Sequence, residues 1–337
     1  MTSRGPIEVA VTRGGVIESV HRVHAVIAGP DGIATHVFGD AGRPTFPRSS
    51  IKGLQALPLV ETGAAARFGV SPRELALACS SHEGEHMHVD AVTAWLDRIG
   101  LGDHDLACGP QWPRRQADEI EMRCAGATPV RRHNNCSGKH TGMLATALHC
   151  GDSTAGYEHR EHAVQRRVFD AFSDMLDMDV GTLPFGIDGC SAPNPRLPLD
   201  RIAAAAARYC EASTERLGAT RAEACRALLA AMTAFPEMVG GTDRVDTDLI
   251  RASKGTIISK SGAEGVYVGY LPERGIGYAI KADDGNSRGS TAGLWHVLET
   301  LGLLDDGLRA LLRPHCLPEI RNWAGQVTGR VELSEGN

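Results

Sequence analysis

The chain has 337 residues, with 35 Lys+Arg against 41 Asp+Glu, 42% hydrophobic residues, 39 Gly, 17 Pro and 9 Cys. These values lie in the globular range, where a chain this long buries a sizeable core, and they exclude collagen-like, mucin-like and disordered proteins. A formal net charge of -6 supplies no basic stripe for nucleic acid or an anionic membrane, so the expected partner is a small molecule.

The first twenty residues place Thr12, Arg13, Gly14, Gly15 and Glu18 in their only apolar stretch. No signal-peptide core fits there, and a cytoplasmic protein is expected. The longest apolar run, from Ala227 to Phe235, is broken by Thr233 and stopped by Pro236. It falls well short of the roughly 20 residues of a membrane-spanning helix. From Ile7 to Phe38, β-rich pieces (IEVAVTR, VIESV, HRVHAVIA, IATHVFG) alternate with Gly14-Gly15 and with Gly29-Pro30-Asp31-Gly32. That spacing predicts an antiparallel meander. After Pro47 the apolar residues recur at i, i+3 and i+4, which predicts helices over 49–68, 72–81 and 86–100, with Ser71 as N-cap and Pro72 in the first turn. Further helices are predicted over 158–178, 200–210 and 221–235, and strands return at 255–262, 265–272 and 276–284 before a last helix at 289–304. The sum is an α+β architecture, with a sheet from about 7–38 and 255–283 and a helical part over about 49–250. We expect one catalytic domain, 1–337, or two tightly joined lobes. The cysteines at 79, 108, 124, 136, 150, 190, 210, 225 and 316 are odd in number and contain no CxxC, which argues for reduced thiols rather than a disulfide framework or a zinc ribbon.

Five short blocks carry unusual chemistry. Pro47-Arg48-Ser49-Ser50-Ile51-Lys52 holds a Ser-x-x-Lys at a predicted helix start, where i and i+3 share a face. An uncharged buried lysine amine there can take the proton of a serine nucleophile. An ordinary N-cap serine with a surface lysine fits the same tetrapeptide. Lys260-Ser261-Gly262 ends a predicted strand. Penicillin-binding proteins and class A β-lactamases pair Ser-x-x-Lys with Lys-Thr-Gly in this order. A strand-end lysine before a turn glycine is the plain alternative. In Cys79-Ser80-Ser81-His82-Glu83-Gly84-Glu85-His86, Ser81 or His82 can shuttle a proton, though capping explains such a corner as well. His133 to His140 (HNNCSGKH) and Gly186 to Asn194 (GIDGCSAPN) read as two Gly-rich loops with one thiol each. Cys136 and Cys190, with Asp188 and His133 or His140 near in sequence, suit Zn²⁺ by ligand chemistry, while two buried free thiols fit equally.

At these blocks the chain resembles the rhizobial-type (class 3) L-asparaginases, through PRSSIKGLQALPLVETGAA, LACSSHEGEHMH, HNNCSGKHTGMLA, GIDGCSAPNPRLPL and SKSGAEGVYVGYLP. The resemblance implies a fold like that of serine β-lactamases and glutaminases, a homodimer, and hydrolysis of L-asparagine to L-aspartate and ammonia. It implies Ser49 and Lys52 as a first Ser-Lys pair, Ser81 and Lys260 as a second, and Arg48, Asp188, His140 and Asn135 around the substrate. It also implies Cys136, Lys139 and Cys190 as zinc-binding positions, with Zn²⁺ near the substrate tuning binding without activating water. A glutaminase or another penicillin-recognising-type amidohydrolase is the nearest rival, and a non-catalytic amino-acid-binding protein is the rival from another class.

Overall fold

The computed structural model describes residues 2–334, which fall into two compact units, 2–50 with 196–211 and 252–334, and 51–195 with 212–251. The first is a sheet unit. Its strands are β1 Thr2–Arg4, β2 Ile7–Arg13, β3 Val16–Ala28, β4 Ala34–Phe38, β5 Ile258–Gly262, β6 Val266–Leu271, β7 Ile276–Ala282, β8 Glu319–Arg321 and β9 Val327–Leu333. They run in the order β8-β9-β2-β3-β7-β6-β5, with β4 also on β3 and β1 parallel to β4. As the sequence predicts, N-terminal and C-terminal strands meet in one antiparallel sheet, Ile27 facing Tyr278 across β3 and β7. Two expected pieces, VIESV and HRVHAVIA, form one strand because no Gly, Pro, Asn or Asp separates Val20 from His21.

The expected sheet limits of 7–38 and 255–283 are too narrow. β8 and β9 extend it beyond β2, where Val331 pairs with Val11. The helix Leu199–Glu211, expected in the helical part, belongs to the sheet unit instead. Its Ala-rich face lies on β7, where Gly277 lets the backbones touch: a Cβ at that position would collide with main-chain atoms of Ala203, Ala206 and Ala207. Neither backbone can yield cheaply. Gly277→Ala should therefore cost about 3 kcal/mol, at the upper end for overpacking. That corresponds to a Tm lower by about 4 °C in a thermal melt of the whole chain; an unchanged Tm would mean the helix is not seated on that strand.

The second unit is helical. The expected helix 49–68 is broken into Lys52–Gln55, Leu57–Glu61 and Ala64–Arg67, interrupted near Pro58 and at Gly63 (φ 86°), where the left-handed conformation favours glycine. His86–Arg98 and Ser137–Cys150 pack around Trp95, which is fully buried. The block His133 to His140, expected to be a loop, is helical from Ser137 onward. Gly138 and Gly142 serve close packing there, against Leu77 and against Leu59, Ala78 and Trp95. Among the described residues no helix is long and apolar enough to cross a membrane.

Candidate active site

In the sheet unit, Ser49 sits half-buried in the turn Arg48–Ile51. Arg48 just before it holds φ 53°, a left-handed conformation that a side-chain-bearing residue keeps only under constraint and that clusters at functional sites. The Ser50 amide and hydroxyl both donate to the Pro47 carbonyl, at 3.1 and 2.6 Å, and close the turn. β5 ends against it. A Cβ on Gly262 would stand 2.8 Å from the Pro47 oxygen and 3.2 Å from the Ser50 nitrogen, so only glycine lets the Lys260-Ser261-Gly262 strand lie this close to the serine turn. Lys260 is 1% exposed, and its Nζ donates to the Ser261 carbonyl at 2.9 Å. Gly262→Ala should push β5 off the turn and lower kcat by about 10- to 100-fold while the melting curve moves little; unchanged turnover would separate this strand from the chemistry.

In the helical unit, Lys52 is 1% exposed, which overturns the surface-lysine alternative. Its Nζ donates to the Ser80 carbonyl, to Ser81 Oγ at 3.0 Å and to the Asn135 carbonyl at 3.5 Å. An ammonium can feed all three acceptors. An uncharged amine has two N–H groups for the two carbonyls and a lone pair left to face Ser81 Oγ. The structure thus brings Lys52 to Ser81, a pairing the residue spacing did not suggest. The Ser81 amide is held by the Val239 carbonyl at 3.0 Å, and Asn135 N–H donates to Gln111 Oε1 at 3.3 Å. Buried Glu85, which the sequence reading passed over, accepts from Thr242 N and Oγ1 at 2.8 and 2.6 Å and anchors the end of this loop.

A thiol cluster occupies the same unit. Cys190 lies in the hairpin between Phe185–Ile187 and Pro193–Pro195, turned at Ser191 with φ 73°. Lys139 Nζ donates to Cys190 Sγ at 3.1 Å. The Cys136 hydrogen bond, with Lys139 and His140 beside it, holds the Cys190 thiol well below the usual range against the opposing effect of burial. The same bond, with burial, pushes Cys136 well up. Burial opposes charge on Lys139, but the two cysteines outweigh it and keep the amine above its ordinary range. Without a metal these directions favour the charged forms of Lys139 and Cys190 and the protonated form of Cys136.

His140 is fully buried in the helix Ser137–Cys150. The Ala107 amide donates to Tyr157 Oη at 2.8 Å, and the same hydroxyl is hydrogen-bonded to His140 Nδ1 at 2.6 Å. A hydrogen bond between the His140 and Cys190 side chains offsets part of the burial that lowers the histidine. Tyr157 carries no sequence motif and was legible only in the fold. Asp188 is half-buried at the hairpin turn, with Oδ1 accepting from Gly189 N at 2.7 Å and Oδ2 from Asn194 Nδ2 at 3.4 Å. Cys108 is different in kind: burial raises it to about 12, and it stays an inert thiol.

The donor set suits Zn²⁺ only if Lys139 is counted. Among the described residues no group of three His, Cys, Asp or Glu is placed to hold a metal ion. Two convergent sulfurs and one amine nevertheless match the S and N ligands that zinc takes, provided Lys139 and Cys136 give up their protons.

Burial holds His82 well below and His140 below the ordinary histidine value of 6.5. Both are neutral in the folded chain, whereas the unfolded chain takes up protons below about pH 6.5. Stability is thus fully present above that pH and falls as the medium is acidified, by roughly 1.4 kcal/mol per unit for each ring until its folded value is reached. Urea midpoints between pH 7.5 and 5.5 should decline accordingly; a flat profile would contradict neutral buried rings.

A family model described as L-asparaginase II matches residues 9–333. No curated protein matched the chain. Among solved structures, Mglu in its L-glutamate binding form superposes with a TM-score of 0.45 at 15% identity, over 84% of this chain and 62% of that one. Mglu in its native form gives 0.46 at 16%, over 84% and 62%. The chain therefore spans less than two thirds of Mglu. A mutant class C beta-lactamase gives 0.43 at 11%, over 82% and 92%.

Proposed function

Since the chain belongs to the L-asparaginase II family, whose model it matches over residues 9–333, we propose that this amidohydrolase converts L-asparagine to L-aspartate and ammonia through a serine ester. The observation that carries the reading is the buried Lys52 amine, hydrogen-bonded to Ser81 Oγ at 3.0 Å and three residues beyond Ser49 in the chain. Ser49 Oγ attacks the side-chain amide carbon, and Lys52 takes the hydroxyl proton. The tetrahedral intermediate collapses with loss of the amide nitrogen, which leaves as ammonia after receiving a proton through Ser81 and Lys260. Water then attacks the aspartyl ester, gives its proton back to the same relay and restores Ser49. Main-chain N–H groups of the serine turn stabilise the oxyanion.

Free asparagine carries an α-ammonium and an α-carboxylate. Asp188 suits the first and Arg48 the second, with Asn135 supplying hydrogen bonds. Cys136, Lys139 and Cys190 would hold Zn²⁺, which when bound supplies positive charge that tunes affinity for the anionic end of the substrate. That all nine cysteines are free thiols supports a cytoplasmic setting.

The test is ammonia release from L-asparagine, L-glutamine and D-asparagine in parallel. Release from L-asparagine, lost in Ser49→Ala, supports the reading. Preference for L-glutamine would make the chain a glutaminase, because one extra methylene is worth only about 1–3 kcal/mol in a pocket. Binding without release from any of them would favour an amino-acid-binding protein.

A further inference from the structure

Two separate stretches of the helical unit supply the carbonyls that hold Lys52: Ser80, in the loop after the helix Pro72–Ala78, and Asn135, in the turn before Ser137–Cys150. Their spacing decides where the amine points, and the residue that ties them together is His82. Its main-chain N–H donates to the Asn135 carbonyl at 3.2 Å, and its ring Nε2 meets Ser137 Oγ at 2.8 Å. The ring is fully buried.

The proton positions on this chain of bonds follow from its ends. Gly84 N–H donates to His82 Nδ1 at 3.1 Å, so Nδ1 carries no proton and Nε2 must. Nε2–H therefore donates to Ser137 Oγ, whose own hydroxyl proton goes to the Arg132 carbonyl at 2.9 Å. Every group from Gly84 to Arg132 has one role, and the neutral imidazole is the only form that satisfies all of them. Behind it, the His88 ring stacks at 4.8 Å between centroids and 13° between planes, and is itself tied through Nε2 to the Glu237 carbonyl at 3.0 Å. His82 can neither swing out nor flip without breaking two bonds.

We propose that His82 is a positioning residue: through Ser137 it holds the Ser80–Ser81 loop against the Asn135 turn, and so fixes the two carbonyls that aim Lys52 Nζ at Ser81 Oγ. This rests on the reading of Lys52 as the base. It assigns His82 no proton transfer, since its Nε2 proton is committed to Ser137 and its Nδ1 to Gly84. The substrate is not touched, so loss of the clamp acts on turnover and leaves binding nearly alone.

Four variants test it. His82→Phe keeps the stacking ring and removes both ring bonds; Ser137→Ala removes the acceptor alone; His82→Gln restores a donor where Nε2 stood; Lys52→Met removes the base. The expected result is a kcat lower by about 30-fold in His82→Phe and Ser137→Ala with KM within about 2-fold, since ångström-scale misplacement costs up to about 100-fold. The double variant should be no worse than the worse single one, because both break the same His82–Ser137 bond, and His82→Gln should regain most of the activity. If Lys52→Met is inactive while His82→Phe turns over normally, the clamp is wrong and the base assignment stands. If Lys52→Met remains active, the base assignment itself fails. A crystal structure of His82→Phe needs no substrate and decides the matter independently: the proposal requires Lys52 Nζ to leave the Ser80 or Asn135 carbonyl, and an unmoved amine overturns it.

Discussion

Lys52→Arg should lower kcat by about 10³-fold or more while the protein folds and melts near the wild-type temperature, since loss of a general base removes about 10²- to 10⁴-fold. Arginine can still donate to the Ser80 and Asn135 carbonyls, which Lys52 satisfies with Nζ, so the buried acceptors are not orphaned. It cannot give up its charge, and so cannot take the proton of Ser49. Lys52→Met should be as inactive and also less stable, because it strands the Ser80 carbonyl away from water, while the Asn135 carbonyl keeps the His82 N–H. The difference between the two variants separates the chemistry from the packing. A Lys52→Arg enzyme with near-normal kcat would show that no proton passes through this amine.

Cys190→Ala should be among the most destabilising single changes in the helical unit, by about 3–5 kcal/mol, and the cause is not the lost sulfur volume. Lys139 is 3% exposed, and its ammonium is balanced by the Cys190 thiolate at 3.1 Å. Removing one partner of a buried pair leaves an uncompensated charge in a medium that solvates it poorly. Removing both should be far milder. The double variant Cys190→Ala with Lys139→Met should therefore recover most of the loss in urea unfolding, with a chelator present so that no metal takes the place of the proton. If the single and double variants unfold at the same midpoint, the cluster holds a neutral thiol and amine instead of an ion pair.

The meeting of N-terminal and C-terminal strands was legible because β-rich pieces bounded by Gly and Pro occur at both ends of the chain. The edge strands β8 and β9 were not, since β8 has only three residues, both are half-exposed, and Pro318 and Gly325 flank them. Ser49 and Lys52 were legible as a candidate pair from their i, i+3 spacing, while the turn Arg48–Ile51 and the burial of Lys52 came only with the fold. The bond from Lys52 to Ser81 spans 29 residues and depends on how a loop returns, which no local pattern encodes. Gly138 and Gly142 misled in an instructive way: glycine reads as a loop signal, but here it marks where a helix presses against Leu77 and Leu59. His140 was placed with the substrate on the strength of its neighbours, and its burial against Tyr157 became visible only once the helix was oriented.

The central claim is that Ser49 forms an ester with the acyl group of asparagine. The most direct measurement is to quench the purified enzyme within milliseconds of mixing it with L-asparagine, digest it, and locate any added aspartyl group by mass spectrometry. The account predicts a transient adduct on the peptide containing Ser49, absent from Ser49→Ala and formed more slowly when Lys260 is replaced by alanine, because the departing ammonia takes its proton through that relay. An adduct on the peptide containing Ser81, or steady ammonia release from Ser49→Ala, would contradict it and make Ser81, already hydrogen-bonded to Lys52, the nucleophile.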